Sequence, residues 1–135
     1  MLFKRFLCVL CASAVIFVGP VFSQSQKIAD LIQSGNRKAA LERIRTAGAD
    51  VNEAQPDGTR PIHWAVYKVD YELIDALIAK KAKVDVTNEF GSIPLAEAVE
   101  LADPRIVKML LDAGAGVEAA NQDGQTALML AIKTA

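Results

Sequence analysis

Three glycines, Gly58, Gly91 and Gly124, stand 33 residues apart, and the residues around each recur in the same order. After each glycine the chain reads Arg60-Pro61-Ile62-His63-Trp64-Ala65, then Ile93-Pro94-Leu95-Ala96-Glu97-Ala98, then Thr126-Ala127-Leu128-Met129-Leu130-Ala131. The segments further on keep the step: Ala47-Gly48-Ala49-Asp50-Val51, Lys80-Lys81-Ala82-Lys83-Val84 and Ala113-Gly114-Ala115-Gly116-Val117 align at 33, as do Leu41, Ile74, Val107 and Ile44, Leu77, Leu110. One supersecondary unit is therefore copied along the chain, and no copy can bury its apolar face without its neighbours.

Within the second unit, Pro61 to Tyr67 reads as a short helix opened by a proline, whose fixed φ and missing N–H suit a first turn. Tyr71 to Lys80 reads as a second helix, because Leu73, Ile74, Leu77 and Ile78 form one apolar stripe at helical period. The equivalent stripe in the third unit is Ile106, Val107, Leu110 and Leu111. Ala65, Ala98 and Ala131 recur where helices of adjacent units press together. Gly48 and Gly114 supply a left-handed residue to end the outer helix, whereas Lys81 in that place costs on the order of 1 kcal/mol and predicts a looser turn.

The ends of the array differ from its middle. Ile28 to Ser34 and Arg37 to Thr46 read as a degenerate helix pair, with Lys27, Gln33, Arg37, Lys38, Arg43 and Arg45 as the polar outer side of a terminal cap. Near Ala135 an inner helix lacks an outer partner. A frayed last helix shielding the third unit is expected there; the alternative is an apolar terminal face through which a partner, or oligomerisation with a second copy, would cover the end.

Before the repeats, Lys4 and Arg5 precede an uncharged apolar run from Phe6 to Phe22, interrupted by small residues and Gly19-Pro20. This pattern reads as a signal peptide over 1–23, removed before Gln24 to leave a mature domain over 24–135 with no membrane attachment. A short membrane anchor is the alternative, at the lower edge of the length needed to span. Export points to a bacterial periplasm, or to the medium. Cys8 and Cys11 both lie in the leader, so the mature chain has no disulfide and no thiol chemistry. Without Lys4 and Arg5, 13 basic residues face 16 acidic ones, a net charge of −3 that offers nothing to nucleic acid.

Catalytic chemistry is hard to find. No GxSxG, GxxxxGK, HExxH or DxDxDG pattern occurs. The sole histidine, His63, has no second histidine or mature cysteine to share a metal with, so neither a metal site nor a cofactor is expected. Glu97 and Glu100, at i, i+3, read as solvated surface charge rather than an acid–base pair. No small-molecule substrate and no enzymatic activity are expected.

Over residues 26 to 135 the chain resembles the ankyrin-repeat family, most clearly at Gly58, Pro61, Ile62, His63, Ala65 and the AGADVN run from Ala47 to Asn52. Arg60 and Ile93 replace the family's usual threonine, Ala96 and Met129 its histidine, and Ala127 its proline, so looser turns are expected in the third and fourth units. The resemblance implies an all-α solenoid of stacked helix-turn-helix units with β-turn tips. Repeats fall at about 26–54, 55–87 and 88–120, with a partial one at 121–135. It gives His63 a structural role, tying neighbouring backbone turns, and gives Gly58, Gly91 and Gly124 the tips. It also implies a concave partner-facing surface at Pro56, Asp57, Thr59, Tyr67 and Lys68, then Glu89, Phe90, Ser92, Glu100 and Leu101, then Gln122, Asp123, Gln125, Lys133 and Thr134.

Tyr67, Phe90 and Leu101 fall on that surface with Trp64 beside them, and large anchors of this kind carry interfaces. Asp57, Glu89, Glu97, Glu100 and Asp123 lie nearby, which gives an apolar centre with an acidic rim, suited to a basic partner. The expected function is an exported protein–protein interaction module that binds and restrains another exported protein, such as a hydrolase, as an inhibitor or immunity protein would. An envelope scaffold or stabiliser of an exported enzyme, and a secreted effector-type binding protein, are the alternatives.

Overall fold

The computed structural model describes residues 26–134, so the leader, its cysteines and the junction before Gln24 lie outside the described residues. Seven helices follow one another: α1 (Ile28–Gln33), α2 (Arg37–Arg45), α3 (Pro61–Tyr67), α4 (Tyr71–Ala79), α5 (Pro94–Glu100), α6 (Pro104–Asp112) and α7 (Ala127–Thr134). No strand is present among the described residues; an isolated antiparallel bridge joins Ala120 to Thr126. The chain is an all-α repeat solenoid. Inner helices α1, α3, α5 and α7 stack in one layer, and outer helices α2, α4 and α6 in a second.

The local reasons for these helices are visible in the sequence. Pro61, Pro94 and Pro104 occupy first turns, where no N–H is needed. Asp70 and Asp103 cap the outer helices: the Leu73 N–H donates to Asp70, and the Arg105 and Ile106 N–H groups donate to Asp103. Ala65 and Ala98 are fully buried, which lets α3 approach α1 and α5 closely. Between the layers, Leu73, Ile74 and Leu77 of α4 and Ile106 and Leu110 of α6 are buried, and with Ile62, Val66 and Leu95 they form one continuous core.

Three expectations change on contact with the structure. The turn at Lys81 is not loose: at φ 61° its N–H reaches the Ile78 carbonyl at 2.8 Å and the Ala82 N–H reaches Leu77 at 2.9 Å, matching the bonds at Gly114 and Ala115. Lys81 carries the strain in its own backbone instead. The third and fourth units lack the imidazole bonds that His63 makes, but their tips keep their turn hydrogen bonds. In all three tips the glycine N–H returns to the residue three before it (Gln55, Asn88, Asn121), and the side-chain oxygens of Asn88 and Asn121 accept further N–H groups from Phe90 and Ser92, and from Asp123 and Gln125. Asparagine closes those two tips locally, while the inter-unit tie made by His63 has no counterpart from the side chains of Ala96 and Met129.

The third change concerns the last helix. α7 is a formed helix with Ala127 and Leu130 buried, but it leaves Leu128, Met129 and Ile132 exposed. It packs on α5, and Leu111 of α6 stays 41% exposed beside a groove of about 500 Å³ lined by Val99, Val107 and Ala131. At the other end, the cap side chains are used in contacts as well as in solvation. Lys27 donates to the Ala54 carbonyl at 2.9 Å, and Arg37 pairs with Asp70 and Glu72 of the next unit. No helix among the described residues is long and apolar enough to cross a membrane.

Candidate partner-binding face

The second and third tips are locked together before any partner arrives. The Glu89 N–H donates to the Asp57 carbonyl at 2.9 Å, and the Asn88 amide donates to the Thr59 hydroxyl at 3.1 Å. Thr59 is thereby buried, so it is not the partner-facing residue that its position in the repeat implies. His63, 3% exposed, adds a third tie: its Nδ1 accepts the Arg60 N–H at 3.1 Å, which leaves the proton on Nε2 to donate to the Ser92 carbonyl at 3.2 Å. Arg60 supplies a bond that threonine could not, from its guanidinium to the Asn52 carbonyl at 2.7 Å.

On this fixed frame a cleft of about 270 Å³ opens, lined by Asp57, Trp64, Tyr67, Phe90 and Glu97 among others. Trp64 is half-buried and held by its indole N–H, which donates to Gln55 at 2.8 Å. Tyr67 meets it edge to face, ring centres 5.9 Å apart at 88°. Tyr67 is 59% exposed and Phe90 69%, so the two rings present apolar surface from successive units. A neighbouring cleft of about 260 Å³, lined by Phe90, Glu97, Glu100 and Asp123, continues the surface toward the fourth unit.

The two clefts meet at Glu97, which is not the solvated surface charge that its i, i+3 spacing from Glu100 implies. It is half-buried, not solvated; burial first, then the charge of Glu100, pushes its pKa up to about 7, while a hydrogen bond from Ser92 works against the rise. Asp57 behaves in the opposite way, held below its ordinary value by the Thr59 N–H. Of the other residues singled out, Lys68, Glu89 and Leu101 line neither cleft. Lys68 places its ammonium 5.9 Å from the Tyr67 ring, and Leu101 is the 42% exposed C-cap of α5. Gln55, Asn88 and Ser92 were missed as organisers. The alignment of Gln55, Asn88 and Asn121 at 33 was the available signal.

Chemically, the arrangement offers aromatic faces, carboxylates and fixed backbone. His63 has both ring nitrogens committed, and no three His, Cys, Asp or Glu side chains gather as a metal-holding group among the described residues. A family model described as ankyrin repeats (3 copies) matches residues 62–135. No curated protein matches the chain. Ankyrin repeats mark a module for binding other proteins, and families of this kind are typically without catalysis. From the paired helices, the glycine tips at period 33 and the matching family model over more than half of its length, the chain belongs to the ankyrin-repeat family.

Proposed function

We propose that the mature chain works outside the cytoplasm, in the periplasm, by binding another exported protein across the Trp64, Tyr67 and Phe90 surface and restraining it. The observation that carries this reading is the exposure of Tyr67 and Phe90 around one cleft, on a frame already held by inter-unit hydrogen bonds. A preorganised aromatic anchor loses little conformational freedom on binding. Lys4, Arg5 and the apolar run that follows support export. Restraint needs only a complementary surface over the partner's cleft, and the Trp64, Tyr67 and Phe90 face offers such a surface.

The test is to recover the processed chain after export, capture binders from an envelope extract, and repeat with Trp64→Ala, Tyr67→Ala and Phe90→Ala combined. Capture is lost in the triple variant while its helical circular dichroism is retained; unchanged capture removes this face from consideration. Sequencing the amino terminus reads the cut before Gln24. The captured partner's activity then separates the readings, lowered by an inhibitor and kept or raised by a stabiliser.

A further inference from the structure

The cleft between the second and third units combines aromatic walls with carboxylates that differ in how they are satisfied. Asp57 accepts the Thr59 N–H at 3.0 Å and the Thr59 hydroxyl at 2.9 Å. Glu97 has only a serine to bond and another glutamate facing it, and none of the ion pairs among the described residues includes it. A half-buried carboxylate beside exposed aromatic faces is a site waiting for a cation. Tyr67 already draws one: the Lys68 ammonium lies 5.9 Å from its ring centre.

Between the two cationic side chains, the geometry favours arginine. A guanidinium is planar, stacks on aromatic faces, presents paired N–H groups to a carboxylate and is weakly hydrated. An ammonium is a strongly hydrated point charge that gives up more on entering a half-buried cleft. We propose that this cleft seats an arginine side chain of the partner protein, stacked on the Trp64, Tyr67 and Phe90 surface with its guanidinium paired to Glu97. The inference rests on the interaction-face reading above and names the chemistry that face selects.

Trp64 is the only tryptophan of the chain, so its emission reports the cleft directly. The full chain is titrated with acetyl-Gly-Arg-Gly-amide and with the same tripeptide carrying citrulline, the uncharged near-isostere, or lysine. The arginine peptide shifts Trp64 emission saturably and binds at least about tenfold more tightly than the citrulline and lysine peptides. Glu97→Gln, a neutral replacement of similar shape that keeps the helical dichroism, brings arginine down to the citrulline level; Glu118→Gln, away from the cleft, leaves it unchanged. Equal responses to arginine and citrulline, an arginine response indifferent to Glu97→Gln, or no saturation by about 20 mM overturns the assignment. A flat arginine titration, together with partner capture that still depends on the aromatic residues, sinks arginine recognition alone. Capture that survives the triple aromatic variant sinks the face itself.

Discussion

The imidazole of His63 donates from Nε2 to the carbonyl oxygen of Ser92, 3.2 Å away, and so joins the start of one inner helix to the tip of the next unit. Its other nitrogen accepts the Arg60 N–H, and that bond requires the neutral ring with its proton on Nε2. Burial lowers the His63 pKa below its ordinary value of 6.5. At this residue the folded state therefore binds fewer protons than the unfolded state as pH falls below 6.5. This contribution to stability is present above pH 6.5 and is lost as pH falls through the folded value, with a slope of at most about 1.4 kcal/mol per pH unit. His63→Ala removes both bonds and lowers stability by about 2–3 kcal/mol at pH 7.5. Urea denaturation from pH 5 to 7.5 checks both statements; a variant that keeps the wild-type slope would assign the slope to another group.

Glu97 gives a pH dependence of opposite sign. Its pKa is raised from 4.5 to about 7 by burial and then by Glu100. The groups facing it across the two clefts are Asp57, His63 and Tyr67 on one side, with Glu100 and Asp123 on the other. The contribution of Glu97 to stability is full below about pH 4.5 and declines as pH rises through 7, because the folded state must ionise a poorly solvated carboxyl. Glu97→Gln stabilises the chain at pH 8 by about 1–2 kcal/mol, discounted for partial exposure, and the two stability curves converge toward pH 5. Curves that stay parallel across this range would contradict the assignment.

The repeat makes Gly91 and Gly124 equivalent, yet their substitution should not be. Both are left-handed, at φ 69° and 72°. A Cβ at Gly91 would sit 2.7 Å from the Gln122 backbone nitrogen, whereas one at Gly124 meets nothing within 4 Å. Gly124→Ala costs about 1 kcal/mol for the backbone alone. Gly91→Ala forces the third and fourth tips apart and costs about 3 kcal/mol or more. Equal melting temperatures for the two variants would show that the tips do not approach as described.

Among the described residues three that are not glycine, Val69, Lys81 and Ala102, occupy left-handed turns at a cost that glycine would relieve. Val69 has φ 54° and Lys81 φ 61°, each closing the end of a helix with intact backbone bonds. Val69 is β-branched and gives the larger strain. Val69→Gly and Lys81→Gly each raise stability by about 0.5–1 kcal/mol, the relief of strain exceeding the extra freedom of the unfolded chain. Thermal melts of the single and double variants test this, with additive gains expected for sites this far apart.

The helices were legible because their causes are local. Pro61 at a first turn and the stripes Leu73, Ile74, Leu77 and Ile106, Leu110 act within ten residues, and α3 begins and ends where proline and pattern place it. The candidate face was legible only in outline. Tyr67 and Phe90 line one cleft as their positions in the repeat imply, but Leu101 and Glu89 do not, because a repeat position fixes a direction and not a neighbour.

The period of 33 by itself determined that this chain stacks helix pairs, since copied apolar faces can be buried only by one another. Only the tertiary structure decided that Thr59 is buried beneath Asn88, that Gly91 bears on Gln122, and that Glu97 is half-buried between two clefts. The physical reason is that burial and close approach are made by residues about 30 apart in sequence. Their separation in space depends on how each unit twists on the last, and no residue of a single unit encodes it.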